Sequence, residues 1–506
     1  MNLAEWLIRT ARRQPDAPAL MSGENLISTY AGFADRASRT ASTLVSRYRI
    51  GPGDRVAIFM KNCPAYLELL YGIWFCGGVA VPINAKLHAR EAAYIIEDSG
   101  SRLVFVSGAG AGELQALLPA DCSLHDLETR PVVAPDSHGL TAPLPRAADD
   151  LAWLFYTSGT TGKPKGVMLS IANLHAMTYA YFVDVDDVLA EDAAVYAAPL
   201  SHGAGLYNFM HVLRGSRHVI PASGGFDPEE LSTLAPKLGS VTLFAAPTMI
   251  NRWVAAARQS GYSGEGVRTI VYGGGPMYLA DIEAATAQFG ARFVQIYGQG
   301  ECPMALTSLT RGDIIDRQHP RWHERLASVG TPQSCVQIRV VGPDGKDRQP
   351  GEIGEIIAAG PPVMRGYWND PAATAESLKH GWLWTGDMGS LDQDGYLTLR
   401  DRSKDVIISG GSNIYPREVE EALLSHPSVA EVSVIGRPSA DWGEEVVAFV
   451  VPAGQHPPAS PELDGHCRSQ IAGFKCPKAY FFALELPKNN YGKVLKTTLR
   501  SRLLSQ

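Results

Sequence analysis

The sequence predicts an α/β protein. A large, multi-lobed N-terminal domain of mostly parallel sheets carries a small β-rich unit, and a smaller α+β domain follows at the C-terminus. Three observations point there. From Asp54 onward, β-type runs alternate with helical ones, the order of βα units. Glycine-rich turns follow several of those runs, at the strand ends where open α/β sheets take ligands. At 506 residues the chain also exceeds the roughly 250–300 at which one core stops growing, so at least two domains are required.

The first 150 residues read as scaffold. Met1 to Arg13 is an amphipathic helix rather than a signal peptide. Tyr30, Phe33, Ala37, Ala41 and Leu44 recur at helical spacing. Asp54 to Met60 is a strand, Pro64 to Phe75 a helix, and Leu103 to Val106 a strand. Pro131 to Pro145, rich in proline and poor in large apolar side chains, is a surface connection.

Chemistry begins at Leu151. Leu151 to Tyr156 is a short buried strand, and it runs into Thr157-Ser-Gly-Thr-Thr-Gly-Lys-Pro-Lys-Gly166. Glycines let backbone N–H groups approach a ligand, the hydroxyls add neutral donors, and Lys163 and Lys165 add charge. That composition suits a polyphosphate. A flexible Ser/Gly linker has similar composition but does not sit directly on a buried strand with two spaced lysines. The run is not the common P-loop either, because Lys163 is followed by Pro164 rather than Ser or Thr.

Beyond the loop, Ala193 to Ala198 is a strand ending in Pro199-Leu-Ser-His-Gly-Ala-Gly205, where small residues leave space around His202. Thr269 to Tyr272 runs into Gly273-Gly-Gly-Pro276, and Arg292 to Ile296 runs into Tyr297-Gly-Gln-Gly-Glu301. Two glycine-bearing turns in succession mark a ligand edge. Cys335 to Val341 and Glu352 to Ala358 form an antiparallel pair around Gly342-Pro-Asp-Gly345, leading through Gly366-Tyr-Trp368 to Trp384-Thr-Gly-Asp387. A charge cluster, Arg400 to Asp405, precedes Ser409-Gly-Gly-Ser-Asn413. Helices at Arg417 to Ser425 and Asp464 to Ile471, with strands at Glu431 to Ile435 and Val446 to Val451, complete the small domain.

Bulk properties exclude several classes. A net charge of −7 gives no global reason to bind nucleic acid or an anionic membrane, so any polyanion must be held by local lysines and amides. The longest apolar run, Gly72 to Ile83, is too short to span a bilayer. Seven cysteines without C-x-x-C spacing read as reduced thiols of a cytoplasmic protein, and the assembly state, a homodimer included, stays open.

Taken together, the Thr157–Gly166 loop, the Tyr297–Glu301 run, Asp387, the Arg402–Asp405 cluster and the closing Pro487-Lys-x-x-x-Gly-Lys493 resemble the adenylate-forming superfamily, in its acyl-CoA synthetase branch. Nearly the whole chain carries the resemblance, with motifs in the family's order. It implies a large domain over 1–402 and a mobile small domain over 403–506, hinged at Lys404. Thr157, Ser158, Gly159, Thr160, Thr161, Gly162, Lys163 and Lys165 are then the phosphate loop of ATP. Gly273, Gly274, Gly275 and Pro276 border adenine, Tyr297 stacks on it, and Asp387 and Arg402 hold the ribose. Glu301, with Thr157, holds Mg²⁺; Lys493 and His202 join Glu301 as the catalytic set, His202 by positioning the acid. Ser409, Gly410, Gly411 and Asn413 meet coenzyme A.

His202, Ala204, Leu206, Tyr207, Phe244, Gly300 and Met304 then form an acyl pocket of apolar or small residues. Family members that activate amino acids place an aspartate between positions matching Pro199 and Met210; this chain has none. The family usually has Thr where this chain has Gly300. The loss removes one phosphate donor; the alternative reading is that the vacated volume enlarges the acyl pocket.

The resemblance implies a two-step ligase. ATP converts a fatty or aromatic monocarboxylate to an acyl-AMP, and the thiol of coenzyme A then displaces AMP. The alternative keeps the acyl-AMP but delivers it to a carrier-protein thiol. A non-catalytic nucleotide-binding relative is disfavoured, since Glu301, Asp387, Arg402 and Lys493 are all retained.

Overall fold

The computed structural model describes residues 1–108, 111–133, 138–157, 163–410, 412–439, 441–454, 456–489 and 494–504. Four sheets organise these residues. The largest has nine strands, with Ala193–Val195, Arg217–Ile220, Val241–Ala245, Val267–Tyr272 and Phe293–Gln299 in its parallel middle. Antiparallel strands close both edges.

A six-stranded sheet forms the second lobe. Arg55–Met60, Val79–Asn84, Leu103–Val106, Ser123–Asp126 and Leu151–Thr157 run parallel, and Lys165–Ser170 returns antiparallel at one edge. Every residue of Val79–Asn84 is buried, as a strand covered on both faces requires. The helix Pro64–Phe75 starts with proline at its first turn and is buried almost throughout; its Trp74 donates Nε1–H to Ala152 O at 2.9 Å. That bond seats the helix on strand Leu151–Thr157.

Two further sheets complete the chain, one antiparallel and one mixed. One is a five-stranded sheet from Gln337–Val341 to Leu397–Arg402. The other, from Ile407–Ser409 to Ala479–Phe482, encloses its own core of Val419, Leu423, Val434, Ala448 and Leu463. Lys404 is exposed in the 3₁₀ turn Ser403–Asp405 between them. The structure is therefore mixed α/β, as the sequence pattern requires.

Two expectations are corrected. Tyr297, Gly298 and Gln299 are not a turn after a strand but its last residues, and the chain reverses only at Gly300-Glu301 into Cys302–Leu309. Gly298 permits this, because a Cβ there would lie 2.4 Å from Met304 N, across the hairpin. The first 150 residues, read as scaffold, also reach the site through Asn62, Tyr94 and Asp98.

Candidate functional site

The strands flanking the run assigned to phosphate pair antiparallel. Thr157 pairs with Lys165 and Tyr156 with Gly166. Gly166 is needed there, since a Cβ would meet the Tyr156 ring at 2.9 Å. The Tyr156 hydroxyl donates to Asp98 Oδ2 at 2.6 Å, fixing the strand end. Ser158, Gly159, Thr160, Thr161 and Gly162 lie outside the described residues, as do Gly411 and Lys493. Both flanking lysines rest on aromatic faces: Lys163 Nζ is 5.5 Å from the Tyr94 ring centroid, and Lys165 Nζ is 5.2 Å from that of Tyr367.

A second cluster gathers around Asp387. Gly386 adopts φ +69°, which turns the chain so that Asp387, 8% exposed, faces the nine-stranded sheet. Its Oδ2 accepts from the Tyr297 hydroxyl at 2.6 Å and from Gln299 Nε2, while Oδ1 pairs with Arg402 Nε at 2.7 Å. Arg402 also donates to Thr385 O at 3.3 Å. A carboxylate offers about four acceptor positions. Three are filled, so accepting both hydroxyls of a ribose diol requires one protein donor to hand over its place. Gln299 is a site residue the sequence reading missed; its only signal was its place two residues after Tyr297.

The glycine turn assigned to adenine follows Tyr272. Gly274 has φ +78°, and a Cβ on Gly273 would sit 2.5 Å from Ile296 O, so the turn lies flat on the neighbouring strand. Pro276 leads to Met277 and Tyr278, where the small domain docks: Arg417 donates to Met277 O at 3.2 Å, and the Tyr278 hydroxyl donates to Glu420 Oε2 at 3.0 Å.

Glu301 sits at the hairpin reversal. Its Oε1 accepts from the Tyr367 hydroxyl at 2.6 Å. A single carboxylate is not a cage for a cation, and among the described residues no group of three or more His, Cys, Asp or Glu side chains is disposed to hold a metal. It does suit Mg²⁺, which keeps waters and takes one or two carboxylates together with substrate phosphates.

His202 precedes the short helix Gly203–Leu206, and its ring packs on Phe155 at 4.8 Å between centroids. Surrounding protein lowers its pKa to about 4, so near pH 7 it offers a neutral imidazole: a hydrogen-bonding group for a carboxylate, not a counter-charge. Asn62, from the other lobe, fixes the approach to this helix. Its amide donates to Tyr196 O and Ala198 O, both at 2.9 Å, and its Oδ1 accepts from Leu200 N at 2.8 Å.

The acyl-pocket residues divide. Tyr207 stacks on Phe244 at 5.4 Å, and Phe244 reaches within 3.8 Å of the Cβ position of Gly274. Ala204 and Met304 are nearly buried, Met304 with φ +59°. Leu206 is fully enclosed in the core and lines no space. Gly300 is corrected too: it vacates nothing, because a Cβ there would lie 2.5 Å from Thr157 Cγ2 and 3.2 Å from Phe155 Cδ1. The absent side chain lets the phosphate hairpin close on the Glu301 turn.

Gly300→Thr is therefore expected to harm, although it adds a hydroxyl donor. We expect the kcat/KM for ATP to fall about tenfold or more, the scale of overpacking a tight contact. Adding Thr157→Ser, which removes the clashing methyl, should recover most of the loss. Steady-state kinetics at varied ATP decides it, and a gain from Gly300→Thr alone would refute the packing argument.

In the small domain, Ser409 and Ser412 pair across a tight hairpin, and Gly410, at φ +56°, donates to Trp442 O at 2.9 Å. The Trp442 indole, 56% exposed, covers Gly410, and Asn413 is exposed on the same hairpin. Trp442 is a further residue the motif reading passed over.

The AMP-binding enzyme family model matches residues 7–368, and the AMP-binding enzyme C-terminal domain model matches residues 418–493. The chain is 36% identical over 511 residues to a feruloyl-CoA synthase of Amycolatopsis, with 99% of each covered. It is 34% identical to the fatty acid–[acyl-carrier-protein] ligase ScoC of Streptomyces coeruleorubidus, covering 97% of this chain and 94% of that one. The crystal structure of ATP-bound MatB from Rhodopseudomonas palustris superposes with a TM-score of 0.89 at 29% identity, covering 99% of both chains.

Proposed function

Because the chain belongs to the AMP-binding enzyme family and is an ATP-dependent, AMP-forming acid–CoA ligase, we propose that the acid it activates is a planar aromatic monocarboxylate of the benzoate or cinnamate type. One observation carries the choice over a fatty acid. The segment from His202 to Tyr207 is walled by two ring pairs, His202 on Phe155 and Tyr207 on Phe244 at 28° between planes, surfaces that favour offset stacking with a flat ring. The feruloyl-CoA synthase relative supports it. The carrier-protein relative keeps the other acceptor as the second reading.

The chemistry follows from charge. A carboxylate is a poor acyl donor because its leaving group would be oxide, and exchange for AMP corrects this. Bringing two anions together requires positive charge where negative charge develops. In this reading Lys493 supplies it at the α-phosphate, and Lys163 and Lys165 hold the departing pyrophosphate. Mg²⁺, carried on Glu301 and the phosphates, would neutralise phosphate charge. His202 orients the acid by hydrogen bonding, while Asp387 and Arg402 hold the ribose and Tyr297 the base. The boundary between the domains lies at residues 402 and 403, with Lys404 the hinge. The hairpin bearing Ser409, Gly410 and Asn413, with Trp442 beside it, then meets the pantetheine arm. Thiol attack on a bound adenylate needs mainly positioning. The reaction fits a cytoplasmic enzyme, whose cysteines are all unpaired. Among the described residues no helix is long and apolar enough to cross a membrane.

Pyrophosphate release from ATP and Mg²⁺ across benzoates, cinnamates, dicarboxylates and fatty acids of graded length, each with and without CoA, tests the reading. We expect the highest kcat/KM with cinnamates or benzoates and multiple turnovers only with CoA. Preference for a fatty acid overturns the aromatic assignment. Turnover indifferent to CoA moves the acceptor to a carrier protein.

A further inference from the structure

Residues 364–368 form an extended strap between the phosphate hairpin and the Glu301 turn. Met364 N donates to Glu301 O at 2.8 Å, Arg365 N to Met168 O at 3.0 Å, Met168 N to Gly366 O at 2.9 Å and Trp368 N to Gly166 O at 2.7 Å. Val167 and Tyr367 face each other in an antiparallel bridge. Tyr367 is 9% exposed, and its N–H is held by Thr374 Oγ1 at 2.9 Å, so the ring has little freedom. That ring is used on both its chemistries: its face carries Lys165 Nζ at 5.2 Å, and its hydroxyl donates to Glu301 Oε1 at 2.6 Å.

We propose that Tyr367 is a positioning residue for the adenylation step, a single side chain that sets the phosphate-loop lysine and the carboxylate assigned to Mg²⁺ at a fixed separation. The inference rests on the nucleotide-site reading of Lys165 and Glu301 given above. The hydroxyl is the donor in this contact, because an ionised carboxylate can only accept. Engaging one carboxylate oxygen orients Glu301 and leaves Oε2 for the cation. A lysine on an aromatic face is held without being neutralised, so an arriving polyphosphate can claim it.

Two variants separate the chemistries. Tyr367→Phe keeps the face and removes the hydroxyl; Tyr367→Leu removes both. Equilibrium binding of ATP, measured calorimetrically with and without Mg²⁺, is the readout alongside turnover. For Tyr367→Phe we expect Mg²⁺-free ATP affinity to stay within about twofold while the gain on adding Mg²⁺ shrinks about tenfold, the size of one hydrogen bond to a charged group. For Tyr367→Leu, Mg²⁺-free affinity should also fall about fivefold, the scale of a cation–π contact. KM for the acid should be unchanged in both. Equal losses for ATP, acid and CoA together with a lowered melting temperature in Tyr367→Phe would reduce the residue to a packing role and overturn the proposal, as would wild-type binding by both variants. Glu301→Gln and Lys165→Ala distinguish the failures. If those leave Mg²⁺-dependent and Mg²⁺-free ATP binding intact, the nucleotide-site reading itself falls; if they impair binding and the Tyr367 variants do not, only the positioning role falls.

Discussion

Asp387→Ala is expected to cut kcat/KM for ATP by about 10²–10⁴-fold, because the proposed ribose site would lose two charge-assisted hydrogen bonds at about 1.5–3 kcal/mol each. The loss should fall on ATP and leave the KM of the acid within a few-fold, since no acid-pocket residue touches this carboxylate. The same substitution strips an acceptor from the Tyr297 hydroxyl, Gln299 Nε2 and the Arg402 guanidinium. Tyr297 is nearly buried, and an orphaned buried donor costs about 1–3 kcal/mol, so a lower melting temperature should accompany the kinetic loss. Asp387→Asn isolates the charge. Its amide keeps one oxygen for Tyr297 but turns a donor toward Arg402, and it should sit between wild type and alanine in stability while remaining near alanine in ATP kinetics. An alanine variant with unchanged KM for ATP would remove Asp387 from the ribose site.

That prediction shows which parts of the site the sequence carries. The Thr157–Gly166 loop stands out locally, as a glycine run on a buried strand, whereas Asp387 and Arg402 are singled out only by the family resemblance, and the structure pairs them at 2.7 Å. Helix Pro64–Phe75 is legible locally too, with proline at its start and mostly apolar residues after it. Gln299, Tyr367 and Asn62 are not. Gln299 meets Asp387 across 88 positions, Tyr367 meets Glu301 across 66, and Asn62 reaches Leu200 across 138, so no spacing in the chain announces the contact. Gly366-Tyr-Trp368 stood out as a motif, but its task appears only when the strap is laid between two other elements. Gly300 is the reverse case. The missing side chain is visible in the sequence, whereas what fills its place, the Thr157 methyl, follows from how the hairpins pack.

Lys493→Ala should lower acid-dependent pyrophosphate release by about 10²–10³-fold or more, the scale of losing one preorganised electrostatic partner of the transition state. Lys493 itself lies outside the described residues, but its neighbours narrow the candidates. Lys488 pairs with Val494 in an antiparallel bridge, and Leu495 N donates to Pro487 O at 2.8 Å, so the chain on either side of the segment is drawn together. Lys488 Nζ is committed to Glu431 at 2.7 Å. Lys496 Nζ is held by Glu420 at 3.3 Å and Asp401 at 3.6 Å, and these charges outweigh burial to raise its pKa. Lys496 cannot leave its carboxylates to replace a lost charge at the α-phosphate without abandoning two nearly buried anions, whereas Lys488 is paired at the surface. Thioester formation from supplied acyl-AMP begins after that charge has done its work and should stay within a few-fold of wild type. Equal loss of both half-reactions would show that Lys493 supports the fold or the thiol step instead, and full retention of pyrophosphate release would require another cation at the α-phosphate.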